Sequence, residues 1–212
     1  MTDQWCEQKA WLDWGVNTNR IEIFAASTGI VMCAIPFLYP HYKMNILLYV
    51  LEVNIVLLGI GTFVYHWWPP DSGSDFDKYV IVPFDWYPMI FTLATLLFIA
   101  NSVYFNHYTV DYKYFSMFVI MVWMFCVIYF LHTLDINIVQ TLLVAPPVLA
   151  LAVLSMYIDL YDQWIVLFMA LGAWLVNRYA CGYWSVLGQL HGIWHIFIGY
   201  ALWDVGKVLT IE

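Results

Sequence analysis

Apolar stretches of membrane-spanning length recur along the whole chain, at about residues 21 to 39, 45 to 68, 84 to 101, 114 to 132, 136 to 157, 163 to 178 and 186 to 206. Polar residues, prolines and Asn or Asp cut them apart. A helix rises 1.5 Å per residue, so roughly 20 apolar residues cross a hydrocarbon core about 30 Å thick. Backbone groups find no water there, and a chain patterned this way satisfies them as helices. The expectation is an all-α protein, an integral membrane bundle of seven transmembrane helices. Composition points the same way: 64% of residues are hydrophobic and 10% charged, against about half and about a quarter in soluble domains. With 212 residues there is no room for a soluble second domain. Residues 1–212 read as a single domain, with 1–20 a polar N-terminal segment and about 21–206 the membrane bundle.

The formal charge of −8 arises from 15 acids against seven bases. The bases are scattered, so no basic surface exists for nucleic acid. The first twenty residues lack the basic start and apolar core of a cleavable signal, which leaves the first spanning helix to direct insertion. Lys9, Arg20, Lys78 and Arg178 fall near one membrane face and Lys43, Lys113 and Lys207 near the other, so loop charge does not set the orientation.

Ionisable residues inside a bilayer are costly and mark function by default, so where they gather matters. With seven spans, the entrances of helices one, three and seven and the exits of helices two and six share one face, here called the N-terminal face. Helix two ends in GIGTFVYH, which puts Thr62 and His66 four apart on one side of the helix. Helix three opens with PFDWYPM, which contains Asp85, and helix seven opens with LHGIWHIF, where His191 and His195 are again four apart. Histidines at i and i+4 can reach one metal ion, a third completes a catalytic zinc set, and water takes the fourth position. Zinc acidifies a water molecule and polarises a carbonyl, while a nearby carboxylate moves the proton. His66, His191 and His195 are therefore the expected zinc ligands, Asp85 the proton shuttle and Thr62 its neighbour.

Each of these residues has an ordinary reading when taken alone. A single buried histidine is more often a hydrogen-bonded packing residue than a ligand. A helical threonine commonly bonds its own i−4 carbonyl, and an aspartate at a helix start is favoured by the dipole. Convergence of three segments on one face favours the metal reading. His41, His107 and His132 lie near the opposite face and read as interfacial. Glu52 and Asn54, mid-helix in the second span, are expected to make polar contacts inside the bundle.

At these same residues the sequence resembles the alkaline ceramidase family, within the wider group of seven-helix metal hydrolases that includes the adiponectin receptors. The matching patterns are GxGTxxxH at Gly59 to His66, FDxxPM at Phe84 to Met89, and HGIWHIFIGY at His191 to Tyr200. The last is the most specific, through Trp194 before His195 and Gly199 after it. The WCE of Trp5 to Glu7 and the acid opening helix one, Glu22, match as well. The resemblance implies hydrolysis of the amide of a ceramide-like membrane lipid to a long-chain base and a fatty acid. His66, His191 and His195 would bind zinc, Asp85 would activate water, and Thr62 would stand where the family usually has serine.

The resemblance also implies a calcium site that uses Trp5, Glu7 and Glu22. Gln4 and Lys9 replace an Asp and an Asn of the family pattern, and a lysine ammonium opposes a cation; Asp3 and Asp13 are nearby alternatives. A family disulfide maps onto Cys6 and Cys181, which would mark the N-terminal face as lumenal or extracytoplasmic. That implies an endomembrane location in a eukaryote or the inner membrane in a bacterium. The connection from His66 to Asp85, with its PPDSGSDFD insertion, is longer than in the animal ceramidases and resembles bacterial relatives.

Two other readings compete. One is a receptor or scaffold of the same superfamily with structural zinc and negligible hydrolysis. The other is a retinal-binding seven-helix protein, which needs a lysine deep in helix seven; the nearest, Lys207, follows the last apolar run.

Overall fold

The structure is a computed structural model that describes residues 22–40, 45–68, 80–104, 110–131, 133, 136–156, 158–180, 187 and 189–211. Among the described residues the chain is all helical, with no strand. Seven helices follow one another: α1 (Ile23–Leu38), α2 (Ile46–Trp67), α3 (Val82–Tyr104), α4 (Val110–Leu131), α5 (Ile136–Leu154), α6 (Tyr161–Ala180) and α7 (Leu190–Ile211). Each falls on one of the expected apolar stretches. Three of them, over 46–67, 82–102 and 114–131, are long and apolar enough to cross a membrane. They mark the chain as a membrane protein.

Helices α1, α6 and α7 fall short of that length or apolarity for physical reasons. The 16 residues of α1 span only about 24 Å at the helical rise. Helix α6 carries Gln163 and Asn177, both buried. Helix α7 carries His191, His195, Asp204 and Lys207; it packs against α1, α2, α3 and α6, and none of its described side chains is exposed. Its polar groups have protein neighbours: Asp204 accepts from Gln163 Nε2 at 2.5 Å and pairs with Lys207 at 3.0 Å. Outward faces are apolar by contrast, as on α4, where Tyr114, Phe115, Phe118, Phe125 and Tyr129 are all exposed. Such a face suits lipid and would be a liability in water.

Lipid tails are as apolar as the side chains, so close packing, more than the hydrophobic effect, holds membrane helices together. Glycines set the closest approaches here. A Cβ on Gly29 would meet the Gly59 carbonyl oxygen at 2.6 Å, and a Cβ on Gly59 would meet the Gly29 carbonyl oxygen at 2.5 Å, so α1 and α2 cross backbone to backbone. A Cβ on Gly61 would lie 2.1 Å from the Phe84 carbonyl oxygen, which fixes α2 against the first turn of α3. Asn54 makes the polar contact expected of it inside the bundle, donating to Thr95 Oγ1 at 2.9 Å across the same helix pair. Such bonds inside membranes average about 0.6 kcal/mol. Glu52 is half-buried on α2, and nothing in the structure explains it.

Several contacts bring the expected helix ends together. The backbone N–H of Glu22, at the head of α1, donates to the His66 carbonyl at the foot of α2 at 3.0 Å. Gly192, in the first turn of α7, sits against Phe24 and Thr28 of α1. With the Gly61 contact, the entrances of α1, α3 and α7 and the exit of α2 meet at one end of the bundle. At the other end Trp203 Nε1 donates to the Tyr39 carbonyl at 2.7 Å, closing α7 onto the exit of α1.

Candidate metal centre

His66, in the last turn of α2, meets His191 and His195 of α7. One ligand atom from each of the three lies within 4.8 Å of the others. The ring centroids are 4.9 Å apart for His66 and His191, 4.9 Å for His66 and His195, and 4.7 Å for His191 and His195. The i, i+4 spacing on α7 stacks its two rings one turn apart, and the α2–α7 contact supplies the third. Zinc–nitrogen bonds of 2.0–2.1 Å in a tetrahedral site place ligand nitrogens about 3.3 Å apart. From within 4.8 Å, the ligand nitrogens would close to about that separation to share one ion. Three neutral imidazoles are a donor set that zinc favours, so the residues fit that metal.

The other expected participants adjoin this cluster. Thr62 lies one turn before His66 on the same side of α2, and its hydroxyl donates to Asp85 Oδ1 at 2.9 Å. Asp85 occupies the first turn of α3, held beside Thr62 by the Gly61–Phe84 approach. The bond fixes the carboxylate's orientation at the edge of the histidine cluster. Burial is uneven across the site. His66, His195 and Thr62 are at most 3% exposed, whereas His191 and Asp85 are only partly buried.

Glu22 has a partner that its sequence position does not reveal. Its Oε2 lies 2.5 Å from His66 Nδ1, and both side chains are buried. A carboxylate accepts, so Nδ1 carries the hydrogen and Nε2 is left as the ligand nitrogen, the arrangement by which outer carboxylates orient metal-bound histidines. The resemblance assigns Glu22 to calcium; in the structure its carboxylate faces His66. The other residues of that assignment, Trp5 and Glu7, lie outside the described residues, as do Cys6 and Cys181 of the implied disulfide. His41, His107 and His132 also lie outside them. Lys207 is paired with Asp204 at the far end of α7, away from the histidines.

Sequence reasoning missed Thr28. Its hydroxyl lies 3.3 Å from His195 Nδ1. The available signal was the small-residue run Ala25 to Gly29, which marks a helix that others approach closely.

No protein-family model matches this sequence, and no curated protein does.

Proposed function

We propose that this protein is a seven-helix intramembrane hydrolase that uses zinc, held by His66, His191 and His195, to cleave the amide of a ceramide-like lipid. The observation that carries the reading is the meeting of these three histidines with a hydroxyl-anchored carboxylate, Asp85, at one end of a lipid-facing bundle. A lone structural ion needs no such acid beside it. A carboxylate held beside the histidines is what proton transfer in hydrolysis requires.

Zinc in that set would polarise the amide carbonyl and acidify water. The protein's own groups do the rest. Asp85, oriented by Thr62, takes the proton from the attacking water as the new carbon–oxygen bond forms. It then returns that proton to the amide nitrogen as the carbon–nitrogen bond breaks, which yields a fatty acid and a long-chain amine. Glu22 holds the His66 ring in place throughout. All seven helices cross the membrane in this reading, and the centre sits at headgroup depth, where a sphingolipid amide also lies. A Cys6–Cys181 disulfide would make that face lumenal or extracytoplasmic.

The test uses purified, zinc-loaded protein in vesicles containing a ceramide labelled on its acyl chain, with wild type compared with Asp85→Asn. Release of labelled fatty acid by wild type and its loss in the variant is the expected result. Folded wild type that holds one zinc per chain but releases nothing from any sphingolipid amide points to a scaffold with structural metal instead.

A further inference from the structure

We infer that Thr28 is a positioning residue for the metal centre, one that holds His195 in the tautomer and orientation needed to ligate. The inference rests on the metal-binding reading of the three histidines and extends it to α1, which supplies no ligand of its own.

Thr28 is 2% exposed, and its hydroxyl has one proton to give. Its Oγ1 lies 2.7 Å from the Ala25 carbonyl oxygen, three residues back. A carbonyl can only accept, so the hydroxyl proton is directed there and a lone pair remains on Oγ1. His195 Nδ1, at 3.3 Å, faces that lone pair and satisfies it by donating. With Nδ1 protonated, the ligand nitrogen of His195 is Nε2.

The same logic operates at His66, where Glu22 is the acceptor. Helix α1 therefore orients two of the three histidines from behind. A hydroxyl bonded to its own helix is common and by itself says nothing of function. The second contact, to a buried imidazole of the cluster, is what a merely local bond does not provide. Outer partners of this kind typically contribute 10–100-fold to metal affinity.

Thr28 also packs. A Cβ on Gly192 would come within 3.1 Å of the Thr28 methyl carbon, so that methyl fills space against α7. The two roles are separable by substitution. Thr28→Val keeps the methyl and removes the hydroxyl, and Thr28→Ser does the reverse.

The experiment measures cobalt(II) binding to full-length, detergent-purified wild type, T28V and T28S. It records the visible d–d spectrum and the affinity by chelator competition, alongside the melting temperature of each metal-free protein. If Thr28 positions His195, T28V loses about tenfold or more in affinity and its cobalt spectrum shifts; T28S retains both. Wild-type affinity and spectrum in T28V, or a larger loss in T28S than in T28V, overturns the inference while leaving the metal centre intact. Wild type that binds no cobalt overturns the metal reading itself and this one with it.

Discussion

His66 Nδ1 and Glu22 Oε2 lie 2.5 Å apart, both buried, where the foot of α2 meets the head of α1. The bond leaves His66 a single nitrogen for a metal and points it at the two histidines of α7. Replacing Glu22 by Gln keeps the size but allows the amide to present either an acceptor or a donor to Nδ1. Zinc affinity, read by competition with a chromophoric chelator, is expected to fall about 10–100-fold. Unchanged zinc affinity in E22Q would mean that the carboxylate serves something other than His66.

Much of the centre was legible in the sequence because helical spacing fixes faces. His191 and His195 at i, i+4 and Thr62 and His66 at i, i+4 could be placed on common sides without a structure, and Asp85 follows from its place at a helix entrance. Helix limits also came close: α2 was expected over 45–68 and runs over Ile46–Trp67, its start set by Asn45, whose side chain accepts from Leu48 N–H. What could not be read was how the helices cross. The partner of Glu22 depends on the angle at which α1 meets α2, and the role of Thr28 depends on the contact of α1 with α7. The expected start of the last helix, near 186, was early; α7 begins at Leu190. Of the seven spans expected from apolar length, three helices meet a length-and-hydropathy rule among the described residues; α6 and α7 place polar residues against other helices, where such a rule sees only lost apolarity.

Removing the α7 ligands should abolish metal binding without unfolding the bundle. His191→Ala with His195→Ala is expected to drop zinc from about one ion per chain to none, measured by elemental analysis after gel filtration. Because a ligand that binds only the folded state adds about 2.7 kcal/mol of stability at 100 times its Kd, zinc should raise the melting temperature of wild type and leave the double variant unmoved. A zinc-dependent shift in the double variant would place the metal elsewhere.

Gly61 offers a test of how the acid is brought to the metal. A Cβ there would lie 2.1 Å from the Phe84 backbone oxygen, and backbone cannot swing aside as a side chain can. Gly61→Ala should therefore push α3 from α2, at an overpacking cost of about 1–3 kcal/mol, and loosen the Thr62–Asp85 bond. Gly172→Ala is the control, since nothing lies within 4 Å of its Cβ position; it should be neutral or stabilising by up to about 1 kcal/mol. Thermal unfolding in detergent reads both. Equal behaviour of the two alanines would contradict the close α2–α3 crossing.

Thr62 and Asp85 should separate catalysis from metal binding. Neither is among the three clustered histidines that could hold a metal, so Asp85→Asn and Thr62→Val should keep the zinc content of wild type. General acid–base catalysis contributes about 10²–10⁴-fold, and Asp85→Asn should lose that much lipid-amide hydrolysis. Thr62→Val frees the carboxylate from its 2.9 Å anchor without removing it, so its loss should be smaller, and Thr62→Ser should recover most of it by restoring a donor. Turnover measured in vesicles, with zinc content determined on the same samples, distinguishes the cases. If D85N hydrolyses as wild type does, the acid beside the histidines is structural, and the proton must travel by another group.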